Sequence, residues 1–379
     1  MTAPRRVLVT GGLGFIGLEL TRQLASRGHV VRILDNLSPQ IHGPVPALGD
    51  RLPVHANVTV TRGDVVRRED LEGALQDVDH VVHLAAETGT GQSMYEIARY
   101  DHVNSYGTAL LLDVLANRPH RVKKIVLSSS RSVYGEGQHR CESHGVVQPA
   151  PRPVARLKAA QWEILCPVCG AQVTPVATRE TAVPQPASIY AATKLAQEEL
   201  VRIACTAMGI PYVNLRFQNV YGPGQSLNNP YTGILSIFST RIRRGSDLPI
   251  FEDGKPSRDF VHVADVARAV VLSLESDRAA GATLNVGSGR PTSIREVAEM
   301  LVKAFRARSQ IEVTGQYRLG DIRHGYADMA AMREATGFQP GVTLDEGLRG
   351  FADWVATQPL PEDGLAQANR ELETRGLMS

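Results

Sequence analysis

The chain has 379 residues, of which 43% are hydrophobic and 21% charged, with a formal net charge of +2. That composition suits a soluble globular protein of one large domain or two intimate ones, and a charge so close to neutrality excludes a general basic surface for nucleic acid or anionic membrane. No apolar run approaches the roughly 20 residues of a membrane helix. The N-terminus, MTAPRRVLVT, carries no apolar leader with a small-residue cleavage site, so a cytoplasmic protein with no membrane partner is expected.

In chain order, RRVLVT, HVVRILD, VTVTRGD, DHVVHLA and KKIVLSSS read as strands, and helical spacing runs from Ile16 to Arg27. Strands alternating with helices imply parallel pairing, hence an α/β fold with a Rossmann-like doubly wound sheet. Between Gly135 and Pro186 the rhythm breaks into a stretch rich in Pro, Gly and Arg that holds three of the four cysteines. It reads as an insertion, about 136–184, within a first domain spanning 1–210. A helix beginning near Ile189 and a strand, IPYVNLRF, follow it. Residues 211–360 mix helices with turn-rich loops such as YGPGQSLNNPYTG and FEDGKPSRDF. They predict a smaller substrate domain with some return to the first. Residues 361–379 are polar and predict a loosely held tail.

TGGLGFIG places Gly11, Gly14 and Gly17 between the first strand and the first helix. Glycine permits a tight turn there and lets a pyrophosphate approach without meeting a Cβ, while the helix N-terminus offers N–H groups and partial positive charge. Asp35 ends the second strand, 18 residues beyond Gly17. A carboxylate there can accept from both adenosine ribose hydroxyls and repels a 2′-phosphate, which favours NAD over NADP. Asp64, in RGDV, is a candidate cap for the adenine amino group, or simply a turn residue.

Tyr190 and Lys194 lie four residues apart in IYAATKLAQEEL, on one face of a helix. An ammonium beside the phenol would favour the phenolate and so make a general base. Ser128, Ser129 and Ser130 end the fifth strand and offer a hydroxyl to a reacting oxygen.

Together, TGGLGFIG, LDN, RGD, HLAA, LSSSRSVYG, YAATK, RFQNVYGPG, RDFVHVAD and the RLGD of Arg318–Asp321 resemble the extended short-chain dehydrogenase/reductases of the NAD-dependent nucleotide-sugar epimerase and dehydratase family. The stretch TGTGQSMYEIARY and the cysteine insert resemble most the dTDP-L-rhamnose 4-epimerase type. The resemblance implies a catalytic trio of Ser130, Tyr190 and Lys194. It also implies cofactor contacts from Gly11, Gly14, Phe15, Ile16, Gly17, Asp35, Asn36, Asp64, Val65, Leu84, Ala85, Ala86 and Asn104, joined by Tyr190 and Lys194. Substrate contacts would come from Ser130, Asn219, Arg258 and Arg318, with the two arginines on the diphosphate of a nucleotide-sugar substrate. A homodimer is a further implication. The resembling dehydratases carry Asp and Glu just after the motif hydroxyl, where this chain has Arg131 and Ser132. Reversible oxidation at sugar carbon 4 is therefore expected, giving 4-epimerisation. A net 4-keto-sugar reductase and a non-catalytic dinucleotide-binding regulator are the alternatives.

Ser130 and Tyr190 stand 60 positions apart, farther than the resemblance implies, and the surplus holds Cys141-Glu-Ser-His144 and Cys166-Pro-Val-Cys169-Gly170. Two such knuckles can aim Cys141, His144, Cys166 and Cys169 at one tetrahedral structural zinc, with His139 a competing fourth ligand. The insert has few large apolar residues and is expected to fold around the metal as a lid or an oligomer contact. Cys205, in an apolar helical stretch, is expected to be simply buried.

Overall fold

The computed structural model describes residues 4–43, 55–227, 229, 233–360 and 365–378. Seven parallel strands form the central sheet: β1 (Arg6–Thr10), β2 (Val30–Asp35), β3 (Val58–Arg62), β4 (His80–His83), β5 (Lys124–Ser130), β6 (Tyr212–Phe217) and β7 (Ala282–Val286). Their order across the sheet is β7-β6-β5-β4-β1-β2-β3. The five strands expected before the insertion are all present. β1 and β4 are near-continuous apolar runs because both of their faces are covered; Val7, Leu8, Val9, Val81 and Val82 are almost wholly buried. β3 alternates Val with Thr and is largely exposed, as an edge strand can be.

Helices cover both faces. On one lie α1 (Phe15–Ser26) and a helix at Val263–Glu275, packed over a core that includes Val9, Leu20, Leu24, Ile33, Val266 and Val270. On the other lie Gly107–Asn117 and Ile189–Met208, over Leu8, Val81, Leu111, Leu115, Ile125 and Val201. The last of these helices starts where expected, because the Ser188 hydroxyl accepts the Ala191 N–H at 3.2 Å and caps it. The helix Val263–Glu275 and β7 are the return of the later chain to the first domain. The remainder of that region forms a second lobe around Tyr221, Phe238, Leu301 and Phe351.

The C-terminal expectation needs correcting. Residues Leu365–Thr374 form a helix whose Leu365, Ala368 and Leu372 are buried. Tyr95 donates to Glu371 at 3.1 Å, Arg375 lies 4.2 Å over the Tyr95 ring, and the Leu319 N–H donates to the Leu377 carbonyl at 2.9 Å. Polarity concealed an amphipathic stripe at 365, 368 and 372, the i, i+3, i+7 spacing of a docked helix. The rest of the expected tail, 361–364 and 379, lies outside the described residues, as do parts of the YGPGQSLNNPYTG loop. No helix among the described residues is long and apolar enough to cross a membrane.

Candidate active site

The strand order reverses between β1 and β4, and at their carboxyl ends opens a cleft of about 1010 Å³. Gly11, Gly14, Phe15, Ile16, Gly17, Asp35, Asn36, Asp64, Val65, Leu84, Ala85, Ala86, Ser130, Tyr190, Lys194 and Asn219 all line it. Gly11 has φ +67°, and a Cβ there would stand 2.8 Å from the Ala85 nitrogen. A Cβ on Gly17 would stand 2.6 Å from the Gly11 carbonyl oxygen. These two glycines thus press the turn between the β4 loop and α1, whose N-terminus faces the cleft. The cradle fits a pyrophosphate.

Asp35 is 7% exposed and is held by two backbone donors: Leu13 N–H to Oδ2 at 3.0 Å and Leu37 N–H to Oδ1 at 2.9 Å. His42 Nε2 stands 3.5 Å from Oδ1. Asn36 Nδ2 donates to Asp64 Oδ2 at 2.9 Å, which joins the two loops expected at the adenosine end. These donors fit the adenosine half of NAD.

At the other end β5 brings Ser130, and the helix Ile189–Met208 brings Tyr190 and Lys194. The three serines separate by duty. Ser128 Oγ donates to the His83 carbonyl at 3.1 Å, and Ser129 Oγ donates to Glu198, which Arg216 also holds. Ser130 Oγ accepts the Ser132 N–H at 3.2 Å and its hydroxyl at 3.0 Å, and lines the cleft with Tyr190. Burial raises the Tyr190 pKa, while the Ser130 hydrogen bond and the positive charge of Arg131 oppose that. Lys194, 2% exposed, gives its ammonium to the Ser128 carbonyl at 2.9 Å; burial pushes it down to about 7, against the pull of Glu198. Arg131, not among the expected contacts, thus brings positive charge to the phenol.

Three expected contacts lie elsewhere. Asn104 is fully buried in the π-helical turn Asp101–Tyr106, behind the cleft wall. Its Oδ1 accepts the Glu87 N–H at 2.8 Å, and its Nδ2 donates to the Glu87 carbonyl at 3.1 Å and to Thr193 Oγ1 at 3.0 Å. It positions the cleft loop. Arg258 spends its guanidinium on the carbonyls of Ser257, Ile322 and Arg323 at 2.7–3.1 Å. Arg318 donates to Asn369 Oδ1 at 2.8 Å and lies 4.8 Å over the Phe251 ring. Burial lowers both guanidinium pKa values, and Asp321 offsets this in each. Nothing local in sequence shows that backbone carbonyls and the C-terminal helix absorb these side chains. Sequence reasoning took Arg131 only for a missing acid, yet it lines the cleft.

The insertion folds as a small three-stranded sheet, His139–Cys141, Gly145–Val147 and Thr174–Pro175, with a knuckle closed by Gly170 N–H to the Cys166 carbonyl at 3.0 Å. Ligand atoms of Cys141, His144, Cys166 and Cys169 all lie within 4.8 Å of one another. Cys141 Sγ is 3.5 Å from His144 Nδ1 and 3.7 Å from Cys169 Sγ, and Cys166 Sγ is 3.7 Å from the same His144 nitrogen. A tetrahedral ion with bonds of about 2.3 Å has edges of about 3.8 Å, so the quartet fits zinc. Backbone donors, Cys169 first, pull the Cys166 thiol down to about 6. His139 is buried outside the quartet, and its burial lowers it to about 4. Cys205 is buried as expected and pushed up to about 12.

Among the described residues, none of 136–184 lines the main cleft. The insert is fastened to the second lobe by buried ion pairs. Arg152 meets Glu136 at 3.2 Å and Glu252 at 2.9 Å; Arg323 meets Glu252 at 2.9 Å, Asp253 at 2.6 Å and Glu163 at 2.6 Å.

The family model for the NAD dependent epimerase/dehydratase family matches residues 7–161 and 166–287. The chain is 38% identical over 356 residues to dTDP-L-rhamnose 4-epimerase of Burkholderia thailandensis, covering 93% of this chain and 96% of that one. Among solved structures it is similar to a UDP-N-acetylglucosamine 4-epimerase from Methanobrevibacter ruminantium, with TM-score 0.76 and 30% identity over 94% of this chain and 100% of that one. It is also similar to a UDP-glucuronic acid 4-epimerase from Bacillus cereus in complex with UDP-glucuronic acid and NAD, with TM-score 0.75 and 27% identity over 93% and 99%. With its glycine cradle, acid-ended second strand and Ser–Tyr–Lys cleft, the chain belongs to the NAD-dependent epimerase/dehydratase family.

Proposed function

We propose that this protein is an NAD-dependent nucleotide-sugar 4-epimerase. One observation carries the reading: Ser130, Tyr190 and Lys194 converge at one end of a dinucleotide cleft, while Arg131 and Ser132 stand where an acid pair for dehydration would be needed. Bound NAD supplies a hydride acceptor that later returns the hydride. Tyr190 takes the proton of the carbon-4 hydroxyl, Ser130 holds that oxygen, and Lys194 is available to the nicotinamide ribose. The 4-keto sugar turns while its diphosphate stays anchored, and Tyr190 returns the proton as the opposite face is reduced. The balance is redox-neutral, so the cofactor stays bound.

The 38% identity to a dTDP-L-rhamnose 4-epimerase favours a dTDP-linked deoxyhexose. Asn219 contacts the substrate from the cleft wall. Arg258 and Arg318, buried cations near Asp321, favour the diphosphate mainly through their field. Zinc in the Cys141–His144–Cys166–Cys169 quartet is structural, and free thiols of that kind suit a reducing cytoplasm. Exposed Ile97, Tyr106 and Ile203 on neighbouring helical segments support a homodimer.

The test is incubation with a panel of dTDP- and UDP-hexoses without added cofactor, with sugar stereochemistry read by NMR. Inversion at carbon 4 is expected. A stoichiometric demand for reduced cofactor would instead establish the reductase. Tyr190→Phe is expected to lower kcat by about 10²–10⁴-fold with bound NAD retained.

A further inference from the structure

Arg131 follows Ser130 directly and opens the short turn Arg131–Tyr134. Its side chain lines the cleft together with Ser130, Tyr190 and Asn219. Other buried arginines of the chain have their charge met: Arg152, Arg216 and Arg323 pair with carboxylates, and Arg258 is wrapped by carbonyls. Arg131 differs. Among the described residues it makes one hydrogen bond, from Nε to Asn219 Oδ1 at 3.1 Å, and no ion pair. Its two terminal nitrogens have no acceptor among the described residues. Burial and the neighbouring Arg258 cation push its pKa down to about 9, partly offset by the nearby Asp321 and Glu136 carboxylates.

A half-satisfied, half-buried cation is costly unless an acceptor arrives from outside the protein. The position says which acceptor. Arg131 shares the cleft lining with Ser130 and Tyr190, and Tyr190 is close enough to act on its charge. Arg318, a cation proposed for the diphosphate, borders a separate small recess with Thr90, Gly91 and Asp321.

Resting on the epimerase reading, we propose that Arg131 is a sugar-contacting residue whose free N–H fork holds two neighbouring hexose oxygens beside carbon 4. A planar fork can donate to a pair of oxygens on either face of a ring. It can therefore release and recapture a sugar that turns over while tethered.

The experiment compares wild type, Arg131→Met and Arg131→Lys as purified, NAD-containing enzymes. Calorimetry measures the affinity for dTDP and UDP and for the corresponding dTDP- and UDP-hexoses, and NMR measures epimerisation. For Arg131→Met, affinity for the bare nucleoside diphosphates is expected to stay within about twofold. Its preference for the nucleotide sugar over the nucleoside diphosphate should fall about 10- to 100-fold, with kcat/KM falling at least as far, and Arg131→Lys should recover part of the loss. An equal loss for nucleoside diphosphate and nucleotide sugar would overturn the proposal and make Arg131 a phosphate ligand, and unchanged preference in both variants would also overturn it. The calorimetric difference is read whether or not the sugar is epimerised. Failure of the epimerase reading, seen as no inversion by wild type, is thus distinct from failure of the Arg131 assignment.

Discussion

The dinucleotide half and the insertion solve the same problem with different forces. In the first, two apolar layers sandwich a parallel sheet, and residues such as Leu8, Val81, Ile33 and Leu20 are completely buried. In the second, the only apolar cluster is Cys141, Ile164, Cys166 and Val173 with Val147 against it, and two of those residues are metal-ligand candidates. The insertion compensates with a thiol–imidazole quartet on one side and buried guanidinium–carboxylate pairs on the other. The difference shows how a short segment without a core of its own can still have one shape: each residue is fixed by a few directional partners instead of many weak contacts.

The strongest way to break this contrast is to deny the quartet its proposed zinc. Structural zinc contributes about 10–16 kcal/mol in small zinc-folded peptides. Cys169→Ala, or chelation of the wild type, should therefore empty the site and expose residues 136–184 to limited proteolysis, while bound NAD stays at wild-type content. Protease resistance of the metal-free insertion would show that it is not metal-folded. A narrower break is Arg152→Met. It strands Glu136, whose side chain is 2% exposed, leaves Glu252 to Arg323 alone, and should destabilise the protein by about 3–5 kcal/mol in urea unfolding. Leu8→Ala is its counterpart in the sheet, at about 2–5 kcal/mol, with NAD content lost alongside stability. If Arg152→Met also emptied the NAD cleft, the two regions would not be separable.

The smallest effect concerns Lys194. Burial lowers its pKa from 10.5 to about 7 in the cofactor-free chain. Between those values the unfolded chain holds more protons than the folded one, so this group's contribution to stability rises with pH across that window. Ribose oxygens favour the ammonium. NAD binding to cofactor-stripped enzyme at pH 8 should take up a proton fraction approaching about one, measured by calorimetry in two buffers of different ionisation heat. No uptake would mean that Lys194 does not meet the ribose.

Much of this was legible in sequence because it is local. The buried runs of β1, β4 and β5, the glycine turn, the Ser188-capped start of the catalytic helix and the two CxxC-like spacings each depend on neighbours in the chain. What the sequence did not show is long-range. Arg258 is absorbed by carbonyls at positions 322 and 323, and Arg318 by Asn369. Asn104 turns to Glu87 and Thr193 rather than to the cleft. Arg131 was overlooked because its neighbours Asn219 and Tyr190 come from distant segments. The docked C-terminal helix had a readable signal, its 365–368–372 stripe, beneath a polar composition.

The paired charges that join Arg152 and Arg323 to four carboxylates also set how the molecule responds to its surroundings. Both guanidiniums and the Glu136 and Glu252 carboxylates are almost sealed from solvent, so dissolved salt screens these inner pairs weakly, while Asp253 and Glu163 form a more exposed rim. The hydration that such groups give up becomes less favourable as temperature rises, whereas apolar burial gains little more. Warming should therefore shift the relative strength of the two regions, so that the joint between insertion and second lobe holds comparatively better near the melting point than at room temperature.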